Sequence, residues 1–380
     1  MPVGSLKNWI YGAALPFVGK RCAWSASDET EKILHRRHAV GAAIQRFEKG
    51  KLTQCHCVGY ASLEGDKQPV SPDTVFRTAS IAKMVTALLV MRMQTCGGIS
   101  VQEELGDLLG FRVRNPHHPD APVTLAMALS HTASIADSPA YFASFSQPEK
   151  LQTLLEDPAA WSGAVPGLQF RYSNLGAGLV GCALEKRFEM SFEALMQKEL
   201  FAPLGVEATF DPSTLRGKTV ADSYRVLPEG KMFDAERRVT SAAALKEPDV
   251  QRHYLLASGN LYLTAGALAS LTLAVWKGDF LDDESRRQMQ TPLLGWPDQT
   301  ICMRHGMGLL TLEDEGICPH KLWGHQGFAY GAVNGVFFDA EGNGFVSLNS
   351  GASEQRVGHL ALLNRDLIRL WMNGQERGFK

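Results

Sequence analysis

The chain has no surplus of charge of either sign: 38 lysines and arginines face 40 aspartates and glutamates, for a net charge of −2. A basic stripe for a nucleic-acid backbone is therefore not expected, nor a polybasic patch for an anionic lipid surface. Long apolar runs are missing too. The stretch Trp9–Leu15 is stopped by Pro16, far short of the roughly 20 residues a spanning helix needs, and no other stretch could span. The same stretch lacks a basic leader and a clean small-x-small site. It reads as an N-terminal extension (residues 1–28) packed on the domain of a cytoplasmic protein, with export as the alternative. The seven cysteines are odd in number, irregular in spacing and without a C-x-x-C pair, so buried free thiols are expected rather than a disulfide framework. Cys55-His56-Cys57 lies in an apparent strand, where His56 points away from its neighbours, so no metal site is expected there. Neither H-E-x-x-H nor G-x-S-x-G occurs, which argues against a zinc protease and an α/β-hydrolase. Gly217-Lys218-Thr219 resembles the end of a phosphate loop, but Pro212 stands where its first glycine should be. There is no repeat, low-complexity segment or flexible linker.

What is present is an ordinary globular composition: 380 residues, 45% hydrophobic and 21% charged. Residues 29–37 read as a charged amphipathic helix. Residues 39–47 and 52–60 read as two strands joined by the Gly-containing turn Glu48-Lys49-Gly50-Lys51. An apolar run, Met84–Met91, then predicts a buried helix that ends at Gly97-Gly98. From about residue 96 to 255 the pattern is mainly helical, with short helices at 101–109 and 123–130 and a longer one at 175–187. Ser191 is expected to cap a helix over 192–201, and 211–250 to be polar and irregular. Strand patterns return at 308–312, 321–325, 333–338 and 344–348, with a turn at Asp339–Gly344. Leu363, Leu367, Leu370 and Trp371 predict a closing amphipathic helix. The expected fold class is α/β (α+β). One antiparallel sheet flanked by helices is built from residues 29–95 and 256–380. A mainly helical lobe, 96–255, completes a cleft between the two.

The chemistry centres on Ser80-Ile81-Ala82-Lys83. Positions three apart share a helix face, so hydroxyl and amine point into one space. A serine needs a base to become a nucleophile, and a lysine in a dry site can serve because burial lowers its pKa. A helix N-terminus also offers free N–H groups to a developing oxyanion. Ser-x-x-Lys is a loose pattern, and alone it fits a capped helix with a solvated lysine. Here, however, no other serine has a lysine three residues on, and Lys83 stands within apolar sequence. Two further groups join it: Tyr172-Ser173-Asn174, the one Tyr-x-Asn in the chain, and His325-Gln326-Gly327 on a late strand.

Ser-x-x-Lys, Tyr-x-Asn and a basic residue-x-Gly, in that order, resemble the penicillin-recognising serine hydrolases. The branch concerned holds class C β-lactamases, D,D-carboxypeptidases, D-aminopeptidases and related esterases. Leu129–Ser134, Phe170–Asn174, Phe201–Gly205, Ser258–Ala265 and Trp323–Gly327 resemble further stretches of that family, so the likeness covers roughly residues 30 to 372. The resemblance implies a β-lactamase/transpeptidase-like fold. It also implies Ser80 as acyl-accepting nucleophile, with Lys83 and Tyr172 sharing the proton work in either order. Asn174 would bond Lys83 and the substrate amide, and His325 would position a substrate carboxylate or the Tyr172 hydroxyl. The N–H groups of Ser80 and Phe328 would form the oxyanion hole. Gln326, Gly327, Phe328, Tyr330 and Asn260 are expected to contact substrate. The implied reaction needs no metal or cofactor, and the partner is a small-molecule or peptide substrate, with the oligomeric state left open. Departures from the pattern matter. His325 replaces a common lysine, Phe328 a small residue, and Asn260 and Ser134 replace glycines. A dedicated β-lactamase is therefore disfavoured. An amide or peptide hydrolase comes first, an esterase or weak β-lactamase second, and a non-catalytic binding or assembly scaffold is the reading of another class.

Overall fold

The computed structural model describes residues 17–19, 24–147, 149–236, 245–298 and 300–373. Most of the expected N-terminal extension, Cys22 included, lies outside them. Nine strands form the main sheet: β1 (Gly41–Glu48), β2 (Lys51–Ser62), β3 (Gln68–Pro69), β4 (Leu294–Gly295), β5 (Met303–His305), β6 (Leu310–Leu312), β7 (Leu322–Ala329), β8 (Ala332–Phe338) and β9 (Gly344–Asn349). Their order is β4-β5-β6-β7-β8-β9-β1-β2-β3, antiparallel throughout. The late strands thus join the early ones through β9 and β1, with Ser347 opposite Ile44. The β1–β2 hairpin turns on Lys49-Gly50 alone, both at positive φ (49° and 74°), the two-residue geometry that matches strand twist.

Each face of the sheet is covered. Helices α1 (Glu29–Arg36) and α6 (Leu362–Trp371) bury Ile33, Leu34, Leu363 and Leu367 against Ile44, Phe337 and Phe345. On the other face α2 (Ala82–Thr95), α3 (Asn174–Phe188) and α4 (Ala265–Trp276) share a larger core with Ala43, Phe47, Val336, Phe338 and Leu348. Helix α5 (Asp283–Gln290) is capped by Asp282, whose side chain accepts from Ser285 N. Helix α2 is buried on every side from Ala82 to Met91, as its unbroken apolar sequence requires. Ser191 caps Phe192–Met196, which then loosens into a π turn, Gln197–Phe201.

Two expectations are corrected. Residues 211–250 are not wholly irregular: Ser223–Val226 pairs with Met232–Glu236, and Phe17–Gly19 adds a third strand. The alternation is short, but Tyr224 and Val226 turn inward onto Val40 and Met232 and form a small core. The helices near 101–109 and 123–130 are single turns, Leu105–Leu109 and Leu125–Leu129.

Candidate functional site

Short strands deliver Ser80. Phe76–Arg77 pairs with Tyr262–Leu263, and Thr78 N donates to the Leu261 carbonyl at 2.9 Å. The chain then turns through Ala79, whose φ of 52° is left-handed. Such a backbone costs an L-residue about 1–2 kcal/mol. Ser80 follows in the 3-10 turn Ala79–Ile81, which runs into α2 and places Lys83 one turn on. Strand β7 crosses this turn so closely that a Cβ on Gly327 would stand 2.1 Å from the Thr78 carbonyl oxygen. Glycine at 327 is what allows that crossing.

Lys83 is 4% exposed. Its Nζ lies 3.2 Å from Ser80 Oγ, 2.9 Å from Asn174 Oδ1 and 2.5 Å from the Ser258 carbonyl oxygen. Burial pushes the amine down to about 7, with the Asp137 carboxylate opposing the shift. The Tyr172 ring lies 5.1 Å from Nζ, and burial holds its hydroxyl well above the usual phenol range. Asn174 opens α3, and its Nδ2 donates to Asp137 Oδ2 at 2.8 Å.

Ser80, Tyr172, Asn174, His325, Gln326 and Phe328 meet on one cavity of about 300 Å³, with Trp296, His305, Leu310, Arg356 and His359 completing its lining. No carboxylate appears in that lining among the described residues. His325 is pushed down to about 3, first by burial and then by Lys83. Its Nδ1 lies 2.6 Å from the Gln326 carbonyl. A carbonyl only accepts, so Nδ1 carries the proton and Nε2 is left as a bare acceptor, buried and without a hydrogen-bond partner. His131 and His305 are likewise held neutral, with burial the main cause in both. Their rings stand 5.6 Å apart at their centroids, and His131 lies 4.2 Å from the Tyr172 ring.

Two expected substrate contacts lie off the cavity, and a third lines it with its side chain engaged elsewhere. Asn260 does not line the cavity; its Oδ1 accepts from Arg77 Nη2 at 2.5 Å and its Nδ2 donates to the Leu255 carbonyl. Tyr330 sits on the β7–β8 turn outside the lining, its ring 4.7 Å from the Arg77 guanidinium. The Gln326 side chain is taken by the frame: it donates to the His359 carbonyl and accepts from Ala361 N and Asn364 Nδ2. In each case a nearby polar group has claimed the side chain. Conversely, Asp137, Trp296, His305, Arg356 and His359 were not singled out by sequence. His305 sits on β5, and neither its neighbours nor its spacing mark it. Asp137 lies three residues past the Leu129–Ser134 stretch, and only the fold carries it to α3. Cys55 and Cys57 share a face, 3.8 Å apart, while His56 turns to Glu31 (3.2 Å) and Asp28 (3.7 Å), outside the cavity.

The Beta-lactamase family profile matches residues 27–367. The chain belongs to the Beta-lactamase family. This family's serine hydrolases act on amide, peptide or ester bonds. Within it, the chain is 24% identical over 339 residues to the putative fimbrial assembly protein FimD, serogroup D, of Dichelobacter nodosus, covering 87% of this chain and 80% of that one. It is 24% identical over 310 residues to penicillin-binding protein 4* of Bacillus subtilis (strain 168), covering 78% and 66%. The fold is similar to that of EstCE1, a hydrolase with promiscuous acyltransferase activity, at a TM-score of 0.72 and 22% identity, covering 90% of this chain and 96% of the other.

Proposed function

We propose that the protein hydrolyses an amide, peptide or ester through an acyl-enzyme on Ser80, with Lys83 as the base. The observation that carries this is the set of partners around Lys83 Nζ. A neutral amine has two N–H donors and one lone pair. Two neighbours, Asn174 Oδ1 and the Ser258 carbonyl, can only accept. With both N–H bonds spent on them, the lone pair is left for the Ser80 hydroxyl at 3.2 Å. An amine that titrates at about 7 is neutral in a large fraction near neutral pH.

Acylation then proceeds as Oγ bonds to the substrate carbonyl carbon and its proton passes to Lys83. The backbone N–H groups of Ser80 and Phe328 take the oxyanion. Collapse breaks the carbon–nitrogen or carbon–oxygen bond, and the leaving group takes its proton by way of Tyr172. Since burial keeps Tyr172 protonated, a relay suits it better than a phenolate base. Water then attacks the acyl carbon and frees Ser80. His325, neutral and bare at Nε2, suits accepting from the Tyr172 hydroxyl or a substrate N–H better than binding a carboxylate. That favours amide and ester substrates over β-lactams, so penicillins should be turned over slowly at most.

Intact mass after mixing with a fluorophosphonate tests the reading. One adduct on Ser80, absent from Ser80→Ala, is expected, with that variant folded and inactive. Hydrolysis retained in Ser80→Ala would overturn it. The name of the Dichelobacter relative motivates a second reading, an assembly role. No adduct on folded protein, together with a defined oligomer by light scattering, would move the conclusion there.

A further inference from the structure

Asp137 stands in the loop that enters the short helix Pro139–Ala143, outside every motif discussed so far. Its carboxylate accepts four hydrogen bonds. Oδ1 takes Ser173 Oγ at 2.9 Å and Leu175 N at 3.0 Å; Oδ2 takes Asn174 N at 3.1 Å and Asn174 Nδ2 at 2.8 Å. Helix α3 already has its own cap, because Ser173 Oγ accepts from Gly176 N at 2.9 Å. The bond from Asn174 Nδ2 goes beyond capping. A carboxylate has only acceptors, so it compels the Asn174 NH2 to face it and turns Oδ1 to Lys83. The opposite flip would set an NH2 against the Lys83 amine and a carbonyl against the carboxylate.

We propose that Asp137 is a positioning residue of the hydrolytic site: it fixes the flip of the Asn174 amide and thereby holds Lys83 Nζ against Ser80. The inference rests on the reading that Ser80 and Lys83 carry the hydrolysis. Among the described residues the other titratable groups that face Lys83 are Tyr172 just before α3, His131 beyond the Leu125–Leu129 helix, His305 on β5 and His325 on β7. Burial holds all four neutral at neutral pH. Among the described residues Asp137 is therefore the negative charge that bears on Lys83, and it favours the ammonium.

Two readouts separate this role from mere support of the helix. In Asp137→Asn the amide at 174 is no longer compelled, and Lys83 loses the anion that favours its proton. The rate of Ser80 labelling by a fluorophosphonate should fall about 10- to 100-fold, the scale of a charge-assisted hydrogen bond. The acidic limb of its pH profile should move to lower pH. Paired with Asn174→Ala, the Asp137→Asn change should cost little more than Asn174→Ala alone, because both act through one amide. A lowered melting temperature with an unmoved limb and additive losses would overturn the proposal. Should Asp137→Asn fail to fold, Asp137→Glu serves instead. Still anionic, it should keep the limb in place while the rate falls, and a displaced limb there would overturn the proposal. If the unaltered protein is not labelled on Ser80 at all, the hydrolytic reading has failed rather than this one.

Discussion

Lys83 shows how a residue's environment makes its chemistry. An ammonium is costly to bury, and this one is offset by two carbonyl acceptors and the nearby Asp137 carboxylate. The sign of the pH dependence follows. Activity should rise with pH through about 7 as Lys83 gives up its proton. Stability should rise as well. From about 7 to the ordinary lysine value of 10.5, the unfolded chain binds the proton that the folded chain has lost. Below that window the cost of burying the charge is fully present. Lys83→Met should abolish turnover by about 100- to 10,000-fold, the usual range for a lost general base. It should also flatten melting temperature against pH across the same window. An unchanged slope in that variant would show that Lys83 is not the group responsible.

At the scale of elements, the site depends on how closely β7 approaches the turn before α2. Gly327 has no room for a side chain: a Cβ would come within 2.1 Å of the Thr78 carbonyl and 3.2 Å of the Ala79 Cβ. Both backbone N–H groups of the proposed oxyanion hole flank this contact, at Ser80 and Phe328. Gly327→Ala should push strand and turn apart and lower kcat about 100- to 1,000-fold, the range for a lost oxyanion donor, with KM less affected. Full activity in a folded Gly327→Ala protein would place the oxyanion elsewhere. Ala79 presents the reverse case. Its φ of 52° costs an alanine more than a glycine, so Ala79→Gly should leave the melting temperature equal or raise it. A fall in melting temperature would mean the alanine methyl contributes more by packing, at 2% exposure, than its backbone strain costs.

Most of the hydrophobic burial among the described residues falls into two cores on opposite faces of one sheet. Ser80 and Lys83 lie at the head of a helix of the larger one, while Leu310, Phe328 and Trp296 of the cavity lining belong to or pack on the smaller. Leu367 on α6 is fully buried on the opposite face and does not line the cavity. Leu367→Ala should cost about 2–5 kcal/mol of stability by denaturant titration while kcat of the folded protein is kept. A matching loss of kcat would show the two faces to be coupled. Much of this layout was legible in the chain. The short apolar runs of β1, β8 and β9 bounded by turn residues, the unbroken apolar run of α2 and the spacing of Leu363, Leu367 and Trp371 are each local patterns, which sequence carries directly. Ser80 and Lys83 were legible for the same reason, since three residues on one helix fix their own geometry. Tyr172, Asn174 and His325 could be named only through the order of motifs, because their meeting with Ser80 spans most of the chain. What sequence could not carry was the allocation of polar groups between competitors. Asn260 is taken by Arg77, Gln326 by the α6 junction, and Asp137 reaches across 37 residues to Asn174. The sequence by itself determined most strands of the main sheet, helices α1, α2, α3 and α6, and which serine stands ahead of α2 with a lysine one turn on. Only the tertiary structure decided which side chains remain free for a substrate and which way the Asn174 amide faces, because hydrogen bonds between distant segments are chosen by proximity, and proximity is a property of the packed fold.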